Sequence, residues 1–136
     1  MFPAVLLMAA MISQPVQLLI DHVGPEDRPV RKLVLYASGS LKESPLPADC
    51  PKAALCVAVE SAAWNQMVGA AESALTGPTS RNPYPVGTFR FRLVGGAKPM
   101  ERTIQPPQSS EFLSTLARYA APPLKIELER RAALGR

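Results

Sequence analysis

Four clusters of proline, at residues 45–51, 78–85, 99–107 and 122–123, set the first limit on what this chain can fold into. A proline ring removes a backbone donor and clashes with the turn before it, so neither a helix nor a central strand runs through such a cluster. With 15 Pro in 136 residues, the chain is cut into pieces that each hold one element or a short pair of them. Within each piece the period of the apolar residues decides between helix and strand. The length suits one domain around one core, burying roughly two thirds of the surface the unfolded chain would expose.

The opening residues follow a different rule. The apolar run at residues 4–12, "AVLLMAAMI", fits a secretory hydrophobic region and is far shorter than the ~20 residues a membrane-spanning helix needs. Residues 1–15 are therefore expected to be a signal peptide or hydrophobic leader, and residues 16–136 a single domain. No Lys or Arg precedes the run and no clean A-x-A box follows it, so the expected cut falls anywhere from Ala10 to Pro15. A buried first element of a cytosolic protein is the alternative.

Export changes the meaning of "DCPKAALC", which holds the only two cysteines. In an oxidising compartment Cys50 and Cys56 are expected to form a disulfide, and a loop this short still stabilises the fold by about 2 kcal/mol. Zinc needs about four ligands, whereas the chain offers these two thiols and the distant His22. The spacing is also not the C-x-x-C of a redox couple. No metal and no cofactor is expected, and a pair of inert thiols is the alternative if the leader is not a signal.

Periodicity gives the elements. "VQLLIDHV" (residues 16–23) reads as a strand, and "VRKLVLYASGS" places Leu33, Leu35 and Ala37 on one face and Lys32, Val34 and Tyr36 on the other, so the two are expected to pair as a hairpin. "ALCVAVE" continues the strand period. From Ser61 the stripe Trp64, Met67, Val68, Ala71 and Leu75 has helical spacing, with Ser61 as the expected N-cap and Gly77–Pro78 as the stop. "TFRFRLV" alternates Phe89, Phe91 and Leu93 with Thr88, Arg90 and Arg92. Gly95 and Gly96 then turn the chain into "KPMERTI", where Met100 and Ile104 are expected to face inward and Arg102 shares their parity. "SEFLSTLARYA" reads as a second helix capped by Ser109 or Ser110. The last segment reads as a short helix starting at Pro123, with a strand over residues 124–129 as the alternative. The expected fold is α+β: an antiparallel sheet of four to five strands with two helices, or three, on one face.

From Val30 onward, the order of elements, with the Gly95–Gly96 hairpin and a closing helix, resembles the emfourin type of small metalloprotease inhibitor. The resemblance is one of order, implies an inhibitor-like module and carries over no functional residue.

Catalytic signatures are missing from the sequence: no G-x-S-x-G, H-E-x-x-H, Walker loop or G-x-G-x-x-G occurs. His22 lies in the first strand without a motif around it, and the carboxylates are scattered, with Glu127 and Arg131 spaced as an i, i+4 helix pair. No catalytic residue is assigned. The net charge of +4 is unevenly placed, with five basic and seven acidic side chains up to residue 76 and ten against four thereafter. The later charges are single and lack aromatic platforms, which argues against nucleic acid.

The segment that stands out is "TSRNPYPVG", residues 79–87, where Tyr84 sits between two prolines near Arg81. A stiff loop loses little entropy on meeting a partner, so Arg81 and Tyr84, with Arg90 and Arg92 on the following strand, are the candidate contacts with an unknown protein partner. The expected function is a small exported, periplasmic or secreted, non-catalytic binding or inhibitor-like module. The alternatives are a membrane-associated accessory protein anchored through residues 1–15, its basic residues touching lipid, and a small hydrolase without a visible motif.

Overall fold

The computed structural model describes residues 16–26, 30–38, 50–95 and 99–136. The expected leader and Gly96 of the second hairpin lie outside them. Five strands form one sheet: β1 (Gln17–His22), β2 (Lys32–Ala37), β3 (Ala54–Val59), β4 (Phe89–Val94) and β5 (Met100–Ile104). Three helices, α1 (Ser61–Ala74), α2 (Gln108–Tyr119) and α3 (Pro122–Ala133), complete an α+β domain. The final segment is thus helix, as its paired prolines at the first helical positions favour.

The strand order is β3-β2-β1-β4-β5. β1 pairs antiparallel with β2 and β4 with β5, as the hairpins require, and β1 also pairs antiparallel with β4. The exception to the expected antiparallel sheet is β3, which lies parallel to β2 with Lys32 opposite Ala54 and Ala37 opposite Val59. Parallel neighbours need a crossover of about a dozen residues or more, and residues 38–53 are long enough to supply it.

Register assigns every strand residue to a face. Leu18 and Ile20, Leu33 and Leu35, Phe89, Phe91 and Leu93, with Ile104, meet the buried stripes of all three helices in one core. Phe91 and Phe112 stack edge to face with ring centres 4.8 Å apart. Trp64, Met67 and Ala71 of α1 are buried at the expected helical spacing.

Two expected caps differ. Glu60, not Ser61, occupies the N-cap of α1, without a side-chain bond. Pro107 takes that place in α2, because the Ser109 hydroxyl donates instead to the Gly87 carbonyl at 2.6 Å.

Arg102, on the inward parity of an edge strand, never reaches the core. Its guanidinium donates to Ala74 O at 2.7 Å and Pro78 O at 2.8 Å, supplying the carbonyl partners that the end of α1 lacks. Gly77 leaves the room for this, since a Cβ there would lie 2.8 Å from the Arg102 Cζ.

The deepest charge among the described residues is Arg131, 2% exposed on α3, which donates to Glu127 Oε1 at 3.0 Å while its Nε and Nη1 are buried without acceptors there. Burial pushes the Arg131 guanidinium below its usual range against the pull of Glu127. For Glu127, burial pushes upward, but the hydrogen bond from Arg130 and the charges of Arg131 and Arg130 outweigh it and hold the carboxyl below its ordinary range.

Candidate functional site

With the helices on one face, the other face of the sheet carries the alternate residues of every strand. Register sets them out in rows. One row runs Ala54, Lys32, Asp21, Arg90, Thr103, and the next runs Cys56, Val34, Leu19, Arg92, Glu101. Lys32 Nζ lies 3.7 Å from Asp21. Arg90 and Arg92 are both half-buried, and neither side chain makes a hydrogen bond or ion pair among the described residues. Two residues apart on one strand, they stand ~7 Å from each other.

At the other end of the rows Cys50 and Cys56 form the expected disulfide, with Cα atoms 6.5 Å apart. Together with Pro51, Gln17, Leu19, Lys32 and Val34 it walls a small pocket of about 110 Å³. Val34 and Tyr36 on this face are buried, although they lie outside the helix-side core. Burial raises the Tyr36 phenol above its usual range, and its hydroxyl has no partner among the described residues.

The loop at residues 79–87 is fastened at both ends. At its start the Ser80 N–H donates to Thr103 O at 2.8 Å, and Thr103 is the cross-strand neighbour of Arg90. Gln105 reaches over from the end of β5, its side-chain amide donating to Arg81 O at 2.9 Å and Pro83 O at 3.0 Å. At its end the Gly87 N–H donates to His22 Nε2 at 3.0 Å, and Gly87 O accepts from Ser109. Gly87 has φ +92°, and a Cβ there would run into the Gly135 backbone. Glycine is thus required on two counts.

His22 is spent in this tether. Its side chain is fully buried, its Nδ1 faces Glu26 Oε2 at 3.1 Å, and its ring meets Phe89 edge-on at 5.0 Å. Because Nε2 accepts from a backbone N–H, the ring proton sits on Nδ1 and is donated to Glu26. A carboxylate and an imidazole in line resemble part of a triad, but the nitrogen that would take a proton already holds Gly87. Among the described residues no group of three or more His, Cys, Asp or Glu is placed to hold a metal, and no helix is long and apolar enough to cross a membrane.

Of the four candidate contacts, Arg90 and Arg92 share the face away from the helices, and the loop bearing Arg81 and Tyr84 is anchored at the sheet edge beside Arg90. Arg81 is exposed, whereas Tyr84 is half-buried with its hydroxyl 3.4 Å from Ser80 O. The residues that fix the loop, His22, Gln105 and Ser109, carried no sequence signal, since each acts on a backbone group far away in the chain. No protein-family model, curated protein or solved structure matches the chain. The emfourin-like feature is accordingly a likeness of element order alone.

Proposed function

We propose that this protein is a small exported module, periplasmic or secreted, that works by contact with another protein rather than by turnover. The observation that carries this reading is the pair Arg90 and Arg92, half-buried and with no side-chain acceptor among the described residues, beside a loop held at both ends. A guanidinium partly withdrawn from water and left unpaired gains most from a partner that brings the missing acceptor. The tethered loop adds Arg81, Asn82, Pro83, Pro85 and Val86, all exposed, with their ordering already done before any partner arrives. The disulfide suits an oxidising compartment. The inhibitor-like form of the reading has a secreted protease as partner.

The test places a photo-crosslinking amino acid at Val86, and separately at Lys125 on the helix side, in the native cell. A discrete protein adduct from position 86 that is absent from position 125 and is lost in R90E/R92E supports contact at this surface. Equal adducts from both positions, or none from 86, contradict it. Secreted proteases left untouched by the purified protein would remove the inhibitor version.

A further inference from the structure

The sheet face away from the helices has two features of different chemistry a short distance apart: a pocket walled by Leu19, Val34 and the disulfide, and the half-buried guanidinium pair on β4. From these we infer that the partner presents an acidic, extended segment with one aliphatic side chain. The aliphatic group fills the pocket while carboxylates take Arg90 and Arg92. This rests on the contact reading above and names the chemistry of the partner.

Size, charge and spacing each support it. A cavity of about 110 Å³ is large enough for one branched aliphatic side chain and too small for a nucleobase with its sugar. Leu19, Val34, Pro51 and the two cysteines line it together with Lys32 and Gln17. Arginine forks match planar carboxylates bidentately, and nothing among the described residues satisfies these two. Asp21 is engaged with Lys32, and Glu101, opposite Arg92 in the register, forms no ion pair with it, so neither carboxylate is bound to the pair. The row Cys56, Val34, Leu19, Arg92 puts the pocket and the arginines about two strand spacings apart, ~10 Å, which an extended chain covers in about three residues. An aliphatic residue followed about three positions later by acidic ones therefore spans both features. A lipid headgroup or a nucleic acid backbone would engage the arginines but leave the pocket without its apolar guest.

The probe is a synthetic peptide in a Gly/Ser/Thr background carrying one leucine and, about three residues further on, two glutamates. It is titrated into the isotope-labelled, oxidised protein and followed by amide chemical shifts. The expected result is saturable shifts confined to β1, β2 and β4 around Leu19, Val34, Arg90 and Arg92. Affinity should fall about tenfold or more when the glutamates become glutamine, or in R90Q/R92Q, and stay unchanged in K125E on α3. No shifts at millimolar peptide, shifts elsewhere, indifference to R90Q/R92Q, or tighter binding to phosphatidylglycerol vesicles or a single-stranded oligonucleotide would each overturn the inference. Those outcomes leave the crosslink from Val86 as a separate result, so a contact module with a different partner chemistry is told apart from no contact module at all.

Discussion

Replacing Glu127 by glutamine should cost far more than a surface ion pair is worth. Among the described residues Glu127 is the only acceptor of the buried Arg131 guanidinium, whose side chain is 2% exposed against 16% for the carboxylate. Removing one member of such a buried pair strands a charge, and the usual cost is 3–5 kcal/mol, so with the carboxylate partly wet we expect about 3 kcal/mol. For a domain of this size that lowers Tm by ~12 °C, taking roughly 4 °C per kcal/mol. Arg130 contributes little because its side chain is 72% exposed. Arg131→Met, by contrast, removes the charge along with two nitrogens that have no acceptor, and should change stability by less than about 1 kcal/mol in either direction. Urea unfolding at pH 7, followed by circular dichroism, measures both. An E127Q protein within about 0.5 kcal/mol of the wild type, or an R131M protein less stable than E127Q, would refute the reasoning.

The pH dependence follows with its sign fixed. Because the carboxyl of Glu127 is held below its ordinary range in the folded protein, its contribution is complete above the unfolded value of about 4.3. It is lost as the pH falls through the lower folded value. That part of the acid sensitivity should be missing from E127Q, as acid titrations of the two proteins would reveal. Cys50→Ser with Cys56→Ser should lower stability by about 2 kcal/mol, and the same loss should appear in the wild type under reductant. Gly87→Ala should cost on the order of 3 kcal/mol from left-handed strain and the Gly135 contact; normal expression with an unchanged Tm would show that the loop end is not held there. His22→Ala leaves the Gly87 N–H without its acceptor, at about 2 kcal/mol, and should raise amide exchange at residues 84–88 while exchange in β2 follows only the global change.

The sequence made the two faces of the sheet legible because alternation is local. Phe89, Phe91 and Leu93 declare the buried side by their own spacing, and Arg90 and Arg92 declare the other. The same holds for the stripe of α1 and for the pair Glu127–Arg131, one helical turn apart. What alternation does not encode is the direction of pairing. The apolar run of β3 fits a parallel or an antiparallel neighbour equally well, and only the crossover from β2 decides. The helix caps depart from local expectation for a related reason: a serine near a helix start satisfies a local rule, yet the Ser109 hydroxyl has a better acceptor in Gly87, 22 residues earlier. Arg102 advertised its oddity by standing on the inward parity, but its partners at Ala74 and Pro78 exist only once α1 has docked.

The proposed role requires export from the cytosol and a fold held by the Cys50–Cys56 bridge. Intact mass of the protein from its native cell, alkylated with and without prior reduction, tests this most directly. The account predicts a chain shortened within the first fifteen or so residues that takes up alkylating agent only after reduction. A chain still beginning at Met1, with both Cys50 and Cys56 alkylated without reductant, would contradict it.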